Sequence, residues 1–181
     1  YVADGAVVRV YDRKSGVRRG VIKVQGASQL SGLGRGPSDS LYVADTGYDE
    51  SGRSTGTDAV YRVNRAGRAS SIFRSPVLGH PSAVLHLGRT TWIGTLGSGK
   101  IYGVQSSGRL LSGPTLHDGS LVGAQVIGKD DIVLTSKAAQ GVYRGSMRHG
   151  FAYLEGGIQM PGHPGWDAGR RRLLVPSQSE G

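Results

Sequence analysis

The sequence repeats itself about every 41 residues, and this period restricts the possible folds more than any other feature of the chain. Five short apolar segments share a pattern, and their last residues are Asp4, Asp45, Thr95, Ser136 and Ser177. The steps between these positions are therefore 41, 50, 41 and 41 residues. Self-similarity at one fixed period is typical of architectures in which each repeat is a supersecondary unit.

A second series of segments runs in phase with the first. It consists of Ala59–Asn64, Lys100–Gln105 and Gly141–Ser146, whose first residues are again 41 positions apart. The one longer step has a local cause, because the polar, glycine-rich segment 46–58 is nine residues longer than its counterpart in the next repeat. Repeats tolerate such extra length in a loop between two paired strands.

Each repeat divides into four short apolar runs, which are separated by turns that contain glycine. In the third repeat these runs are Pro81–Leu87, Thr91–Thr95, Lys100–Gln105 and Leu110–Leu116, and no helical periodicity is present. Four antiparallel strands in a repeat of this length are typical of a β-propeller blade, which hides its edges in a ring. The alternative is a β-sandwich, which is not expected to repeat its sequence and spacing so regularly. We therefore predict an all-β propeller.

The predicted blades occupy the whole chain as one propeller domain. Their segments are 1–25, 26–75, 76–116, 117–157 and 158–181. If the strands of a blade are named A to D from the axis outward, the chain has the order BCD, three times ABCD, and AB. This order predicts about four and a quarter blades of a longer ring, because both ends of the chain fall on a B strand.

Composition and charge exclude several classes of protein. The chain has no cysteine, which removes disulfides and thiolate zinc sites. Its net charge of +9 comes from arginines scattered over turns and strand edges, without the interleaved aromatic residues that nucleic-acid stacking needs. We therefore predict no nucleic-acid partner. No apolar run is long enough for a membrane span, and no pattern indicates an oligomeric state.

The segments Leu41–Arg68 and Gly169–Gly181 resemble bacterial members of the SMP-30/gluconolactonase/LRE-like (SGL) family. The segments Tyr1–Val17 and Ala138–Gly145 also match the blade pattern of that family. The resemblance covers nearly the whole chain at the level of blades. It implies a six-bladed, TolB-like ring, with one to two further blades before this chain and a closing strand after it. It also implies a periplasmic or secreted protein, although this chain shows no signal peptide.

The resemblance further implies a metal site in the axial channel. Acidic and asparagine side chains of the innermost strands would hold a divalent metal, often calcium, which polarises a lactone carbonyl for attack by water. By register, the ligand positions in this chain are Ser31, Ser82 and Val122, and a fourth ligand would precede Tyr1. Hydroxyls bind calcium weakly and valine offers no ligand atom. We therefore predict a degenerate metal site and no cofactor, with Ca²⁺ or another divalent metal as the alternative.

Polar residues near the predicted starts of the innermost strands are candidates for a pocket at one channel mouth. They are Gln29, Ser31, His80, Ser82, Asp118 and His163. His80 and His163 both precede a proline at such a start, so their imidazoles could line a ligand site or lie on surface turns. Asp118 could replace a missing carboxylate or be a solvated turn residue. No pattern of a catalytic nucleophile is present, so the catalytic residues stay unassigned.

Three functions remain open at this stage. The residues favour a propeller that binds a small polar, sugar-like ligand at the channel mouth and has a degenerate metal site. The first alternative is a metal-dependent lactone or ester hydrolase, as the resemblance implies. The second alternative is a scaffold for protein interactions.

Overall fold

The computed structural model describes residues 1–177, and positions 178–181, the end of the last predicted blade segment, lie outside the described residues. The described chain contains 17 strands and two single-turn 3₁₀ helices at Pro37–Asp39 and Pro76–Leu78. The strands are β1 (Val2–Asp4), β2 (Val7–Tyr11), β3 (Arg18–Lys23), β4 (Leu30–Arg35), β5 (Leu41–Asp45), β6 (Ala59–Val63), β7 (Ala69–Arg74), β8 (Pro81–Leu87), β9 (Thr90–Thr95), β10 (Lys100–Gln105), β11 (Leu110–Thr115), β12 (Leu121–Val126), β13 (Ile132–Ser136), β14 (Gly141–Ser146), β15 (Gly150–Glu155), β16 (Gly165–Asp167) and β17 (Arg172–Leu174).

These strands form five antiparallel sheets that follow one another along the chain. The first sheet contains β1 to β3, and the second, third and fourth contain β4 to β7, β8 to β11 and β12 to β15. The fifth contains β16 and β17. Within each sheet every strand pairs with its neighbour in sequence, as expected for up-and-down blades. The prediction of an all-β propeller with four-stranded antiparallel blades is confirmed, whereas the number of blades in a complete ring stays a prediction.

Apolar layers between successive sheets hold the structure together. One layer packs Val8 of the first sheet against Val43 and Tyr61 of the second. The next layer joins the second and third sheets, and another joins the third and fourth. Because strand residues alternate between two faces, each middle sheet contributes to the layers on both of its sides. This arrangement explains why the inner strands are buried on both faces and read as apolar runs.

The innermost strands run parallel to one another and approach closely where one of them has a glycine. A β-carbon on Gly32 would overlap the carbonyl oxygen of Ser82, and one on Gly34 would lie 2.6 Å from the carbonyl oxygen of Val84. A β-carbon on Gly123 would lie 2.5 Å from the ring of Pro164. Only glycine allows this backbone spacing.

The parallel inner strands define the two ends of the axial channel. We call the end where β4, β8, β12 and β16 begin the N-terminal mouth, and the end where they finish the C-terminal mouth. Within residues 1–177 no helix is long and apolar enough to cross a membrane.

The close approach at Gly32 predicts a specific loss of stability. Replacing Gly32→Ala forces β4 away from β8, and we expect the free energy of unfolding to fall by about 1–3 kcal/mol in urea denaturation. Gly20→Ala is the matched control, because Gly20 also lies in a strand but an added β-carbon there meets no atom within 4 Å. The control should change stability by less than about 0.5 kcal/mol. Equal losses in both variants would contradict the close-approach argument.

Candidate functional site

Two of the predicted pocket residues meet at the N-terminal mouth. Ser31 lies on β4 of the second sheet, and His163 lies just before β16 of the fifth. The Ser31 Oγ and the His163 Nε2 are 3.4 Å apart, although the two residues are 132 positions apart in the chain. The contact brings a hydroxyl and an imidazole together across the axis, so both can face one small molecule in the channel.

His163 keeps a large exposed surface at this mouth, although protein atoms lie close to one side of its ring. This environment desolvates the ring, and the nearby positive charge of Lys137 adds to the effect, so the pKa of His163 lies below its ordinary value. A histidine in this state is neutral near pH 7. It can donate one hydrogen bond and accept another, as a ligand rich in hydroxyl groups requires.

His80 lies at the same mouth but is held by the long loop 46–58. Its Nδ1 lies 2.8 Å from the carbonyl oxygen of Thr46, and its ring stacks on Tyr48 with centroids 4.0 Å apart. Its backbone N–H donates to the buried carboxylate of Asp58 over 2.6 Å, which fixes a left-handed conformation with φ of 62°. Within residues 1–177 no hydrogen bond joins His80 to His163. The loop therefore fixes His80 separately from the Ser31–His163 pair.

Asp45, at the end of β5, organises the backbone that leads into β4. Its side chain is fully buried and accepts hydrogen bonds from the backbone N–H groups of Ser28, Gln29 and Gly47 at 3.1, 2.9 and 3.1 Å. Gln29 is one of the predicted pocket residues, and its carbonyl oxygen accepts from the backbone N–H of Thr46. The carboxylate thus sets the position of the segment immediately before Ser31.

Three other predicted residues are engaged elsewhere. Ser82 is buried, and its hydroxyl donates to the carbonyl oxygen of Leu121 in the neighbouring sheet. Val122 is only 8% exposed and offers no polar atom. Asp118 is exposed and accepts a hydrogen bond from the hydroxyl of Tyr143. Burial of Tyr143 and this hydrogen bond raise the pKa of Tyr143 to about 12.

The C-terminal mouth contains a cleft that the sequence did not indicate. Its volume is about 510 Å³, and it lies where three innermost strands end. The lining residues are Leu33, Gly34, Arg35, Gly36, Pro37, Val84, Leu85, His86, Leu87, Gly88, Ala124, Gln125 and Val126. No motif near His86 marked it as a site residue. Only its position near the end of an inner strand, two residues before a turn, could have placed it at this mouth.

Comparisons with known proteins agree on the fold. No family model matches the chain, and no curated protein matches its sequence. A gluconolactonase from Xanthomonas campestris has a TM-score of 0.74 at 13% identity, over 95% of this chain and 62% of its own. Virginiamycin B lyase from Staphylococcus aureus has a TM-score of 0.67 at 14% identity, over 95% and 56%. A chain of the nidogen/laminin complex has a TM-score of 0.77 at 14% identity, over 97% and 68%.

The chain therefore spans little more than half the length of the lyase that it matches. At these identities the likeness establishes a β-propeller, and it supports the resemblance to gluconolactonases at the level of the fold. The matched proteins are a gluconolactonase, a lyase and a component of a protein complex by their descriptions. Fold alone does not select among such functions, and only this chain's own residues can distinguish them.

The buried carboxylate of Asp45 predicts a large stability effect. Asp45→Ala leaves three backbone N–H groups without their acceptor, and we expect the free energy of unfolding to fall by about 3 kcal/mol. Glu50→Ala is the control, because Glu50 is exposed in the loop next to Asp45. It should change stability by less than about 0.5 kcal/mol. Urea denaturation of both variants measures the difference, and similar stabilities would refute this role of Asp45.

The environment of His163 predicts its titration. We expect NMR of the imidazole protons to give a pKa below 6.5. Lys137→Gln should raise this pKa, because it removes a positive charge, but not to the ordinary value, because desolvation is the larger cause. Since the unfolded chain binds more protons between the lowered pKa and 6.5, this group makes stability increase with pH across that window. A pKa at or above 6.5 would contradict the desolvated environment.

Proposed function

We propose that this chain binds a small polar, sugar-like ligand at the N-terminal mouth of its channel. The observation that carries the proposal is the contact of 3.4 Å between the Ser31 Oγ and the His163 Nε2. The two groups come from different sheets and contact each other, so a ligand at this mouth would lie over the pair and could form hydrogen bonds with both groups. Small-molecule sites commonly use a few convergent polar groups of this kind in a concave, largely preformed place.

The chemistry of the mouth suits neutral hydroxyl groups. The Ser31 hydroxyl can donate and accept, and a neutral imidazole has one donor and one acceptor nitrogen. Sugars and their lactones carry hydroxyls with the same dual capacity. The lowered pKa of His163 supports this match, because a charged ring would lose its acceptor.

The metal site is degenerate in this proposal. Of the three positions that the resemblance assigns to metal ligands, Ser31 alone has an oxygen at the mouth, since the Ser82 hydroxyl is donated to the Leu121 carbonyl. Among the described residues no group of three acidic or histidine side chains lies together. Hard divalent cations need six or more oxygens, several of them anionic. The residues present at these positions do not fit such an ion, so the proposed binding does not depend on one.

A second candidate function is hydrolysis of a lactone or ester. It is favoured by the same Ser31–His163 pair, because a neutral imidazole beside a hydroxyl can act as a general base. His163 would accept a proton from the water that adds to the carbonyl and return it to the ring oxygen as the C–O bond breaks, which gives a hydroxy acid. The metal-dependent version of this reaction stays an alternative that comes from the family resemblance, as does a periplasmic or secreted location.

Binding can be tested with glucose, glucono-δ-lactone and sodium gluconate as probes. Isothermal titration and lactone hydrolysis should be measured for the unmodified chain, Ser31→Ala and His163→Gln, each with EDTA or with added Ca²⁺. We expect at least one neutral probe to bind in EDTA and each variant to weaken its binding by up to about tenfold, the size of one lost hydrogen bond. His149→Gln is the control, because His149 is exposed in the turn between β14 and β15. It should bind like the unmodified chain.

The outcomes separate the candidate functions. If the unmodified chain hydrolyses the lactone in EDTA and both variants lose this activity, the metal-free hydrolase is favoured over simple binding. Micromolar binding of Ca²⁺ would contradict the degenerate site. If neither variant affects binding, or if no probe binds, the N-terminal mouth is not the ligand site and the interaction scaffold becomes the better description.

A further inference from the structure

The turns between strands fall on two opposite faces of the molecule. Because the strands of a blade run up and down, the turns between strands A and B and between strands C and D share the side of the C-terminal mouth. We call this side the C-terminal face, and its turns are 12–17, 36–40, 64–68, 88–89, 106–109, 127–131, 147–149 and 168–171. All other loops belong to the N-terminal face. The first sheet follows the same rule, since the Leu30 N–H at the start of β4 donates to the Gly5 carbonyl between β1 and β2 over 2.8 Å.

Positive charge is concentrated on the C-terminal face. Its turns contain ten lysine and arginine residues and four aspartates, whereas the N-terminal loops within residues 1–177 contain two cations, Arg53 and Lys137, and four acidic residues. Seven of the eight C-terminal turns have at least one cation, and Arg35 directly precedes the eighth. The ten cations are all exposed, and they are Arg13, Lys14, Arg65, Arg68, Arg89, Arg109, Lys129, Arg148, Arg170 and Arg171. Charges that are scattered along the sequence thus share one face.

Most of these cations have no acidic partner. Within residues 1–177, Arg170 is the one member of the ten that forms an ion pair, with Asp167 at 3.0 Å. Strand arginines occupy three of the four turn aspartates, in the pairs Arg19–Asp12, Arg35–Asp39 and Arg144–Asp131. Arg62, two repeat lengths before Arg144, has a buried Nε without a partner in the described chain and is not counted in the face. Nine exposed cations therefore remain without a counter-charge from the described residues.

The cationic face is broad instead of linear. In each sheet the turn between strands C and D lies two strand spacings, about 10 Å, farther from the axis than the turn between strands A and B. Both kinds of turn carry cations, as Arg89 and Arg109 show in the third sheet. The eight turns, which all lie within residues 1–177, contain no aromatic residue on which a nucleic-acid base could stack. A chain-like polyanion would contact the turns along one line, whereas a planar anionic surface can contact turns across the face.

We propose that the C-terminal face docks on a membrane surface rich in anionic phospholipids. Charge complementarity carries the proposal, because each lysine or arginine close to such a surface raises the partition coefficient about fivefold. The attachment is peripheral and electrostatic, since in these turns of the described chain Val17 is the one large apolar side chain that is more than half exposed, at 57%. Docking in this way directs the N-terminal mouth away from the membrane. The proposal therefore does not depend on the function proposed for that mouth.

Binding can be measured by cosedimentation of the whole chain with two kinds of vesicle. One kind contains phosphatidylcholine alone, and the other contains equal amounts of phosphatidylcholine and phosphatidylglycerol. We expect binding to the mixed vesicles only. Raising the salt from about 0.1 M to about 1 M shortens the Debye length from about 10 Å to about 3 Å and should release the chain.

Two triple variants of equal net charge separate the face from the charge of the whole chain. The first removes three exposed cations from C-terminal turns, by Arg65→Gln, Arg89→Gln and Arg109→Gln. The matched control removes three exposed cations from the N-terminal face, by Lys23→Gln, Arg53→Gln and Lys100→Gln. We expect the first variant to lower the partition coefficient at least about tenfold and the control to lower it less than about twofold.

The orientation on the vesicle has its own readout, because the chain contains no cysteine. An environment-sensitive fluorophore attached at Ser107→Cys, in a C-terminal turn, should change its emission on mixed vesicles. The same label at Ala138→Cys, in an N-terminal loop, should not. These labelled chains keep every cation, so this measurement decides the orientation even if a triple variant does not fold.

Several results would overturn the proposal. They are equal binding to both kinds of vesicle, no binding to the mixed vesicles, equal losses in the two triple variants, and a stronger response of the label at position 138. Tighter binding to double-stranded DNA than to mixed vesicles at the same salt would also overturn it, because the partner would then be a linear polyanion.

Discussion

The close contact of backbones between successive innermost strands determines most of what this structure can present at its axis. At Gly32, Gly34 and Gly123 the neighbouring chain lies where a side chain would otherwise be. Because strand side chains alternate between two faces, the residues beside these glycines point away from the close contact, and Leu33 and Ala124 pack in the apolar layers on the other side of their strands. The opposing positions of Ser31 and His163 are a consequence of this spacing, since a wider ring would separate the two groups beyond contact. The apolar layers farther from the axis then fix the tilt of each sheet relative to the next.

The repeat made the fold predictable from the sequence. A period of 41 residues, with four apolar runs in each repeat, leaves few arrangements other than propeller blades. The nine additional residues of segment 46–58 were also predictable as a loop, because both flanking strands keep the pattern of the series. The repeat did not predict the role of that loop. Its Asp58 and Tyr48 hold His80, and such contacts between distant loop residues leave no periodic signal.

The candidate site was less accessible to sequence reasoning for a physical reason. Position along an inner strand indicates depth in the channel, but not whether a hydroxyl faces the channel or the neighbouring sheet. Ser31 and Ser82 looked equivalent as residues, yet one lies beside His163 and the other donates to a carbonyl of the next sheet. The buried Nε of Arg62 was equally hidden, although aligning the repeats matches Arg62 with Arg144 and places Ser40 where the fourth sheet has Asp131.

Arg62 and Arg144 show the same strand position with and without a carboxylate partner, because the Arg144 Nε donates to Asp131 over 3.0 Å and the Arg62 Nε has no partner among the described residues. Arg144 with Asp131 and Arg62 with Ser40 occupy equivalent backbone positions in two sheets of one chain, but Arg144 is exposed whereas the Nε of Arg62 is buried. A repeat protein can thus carry an ion pair in one sheet and lack its counter-charge in another while every sheet keeps the same strand pairing. In such a molecule, departures from internal symmetry are the natural starting points for new specificity.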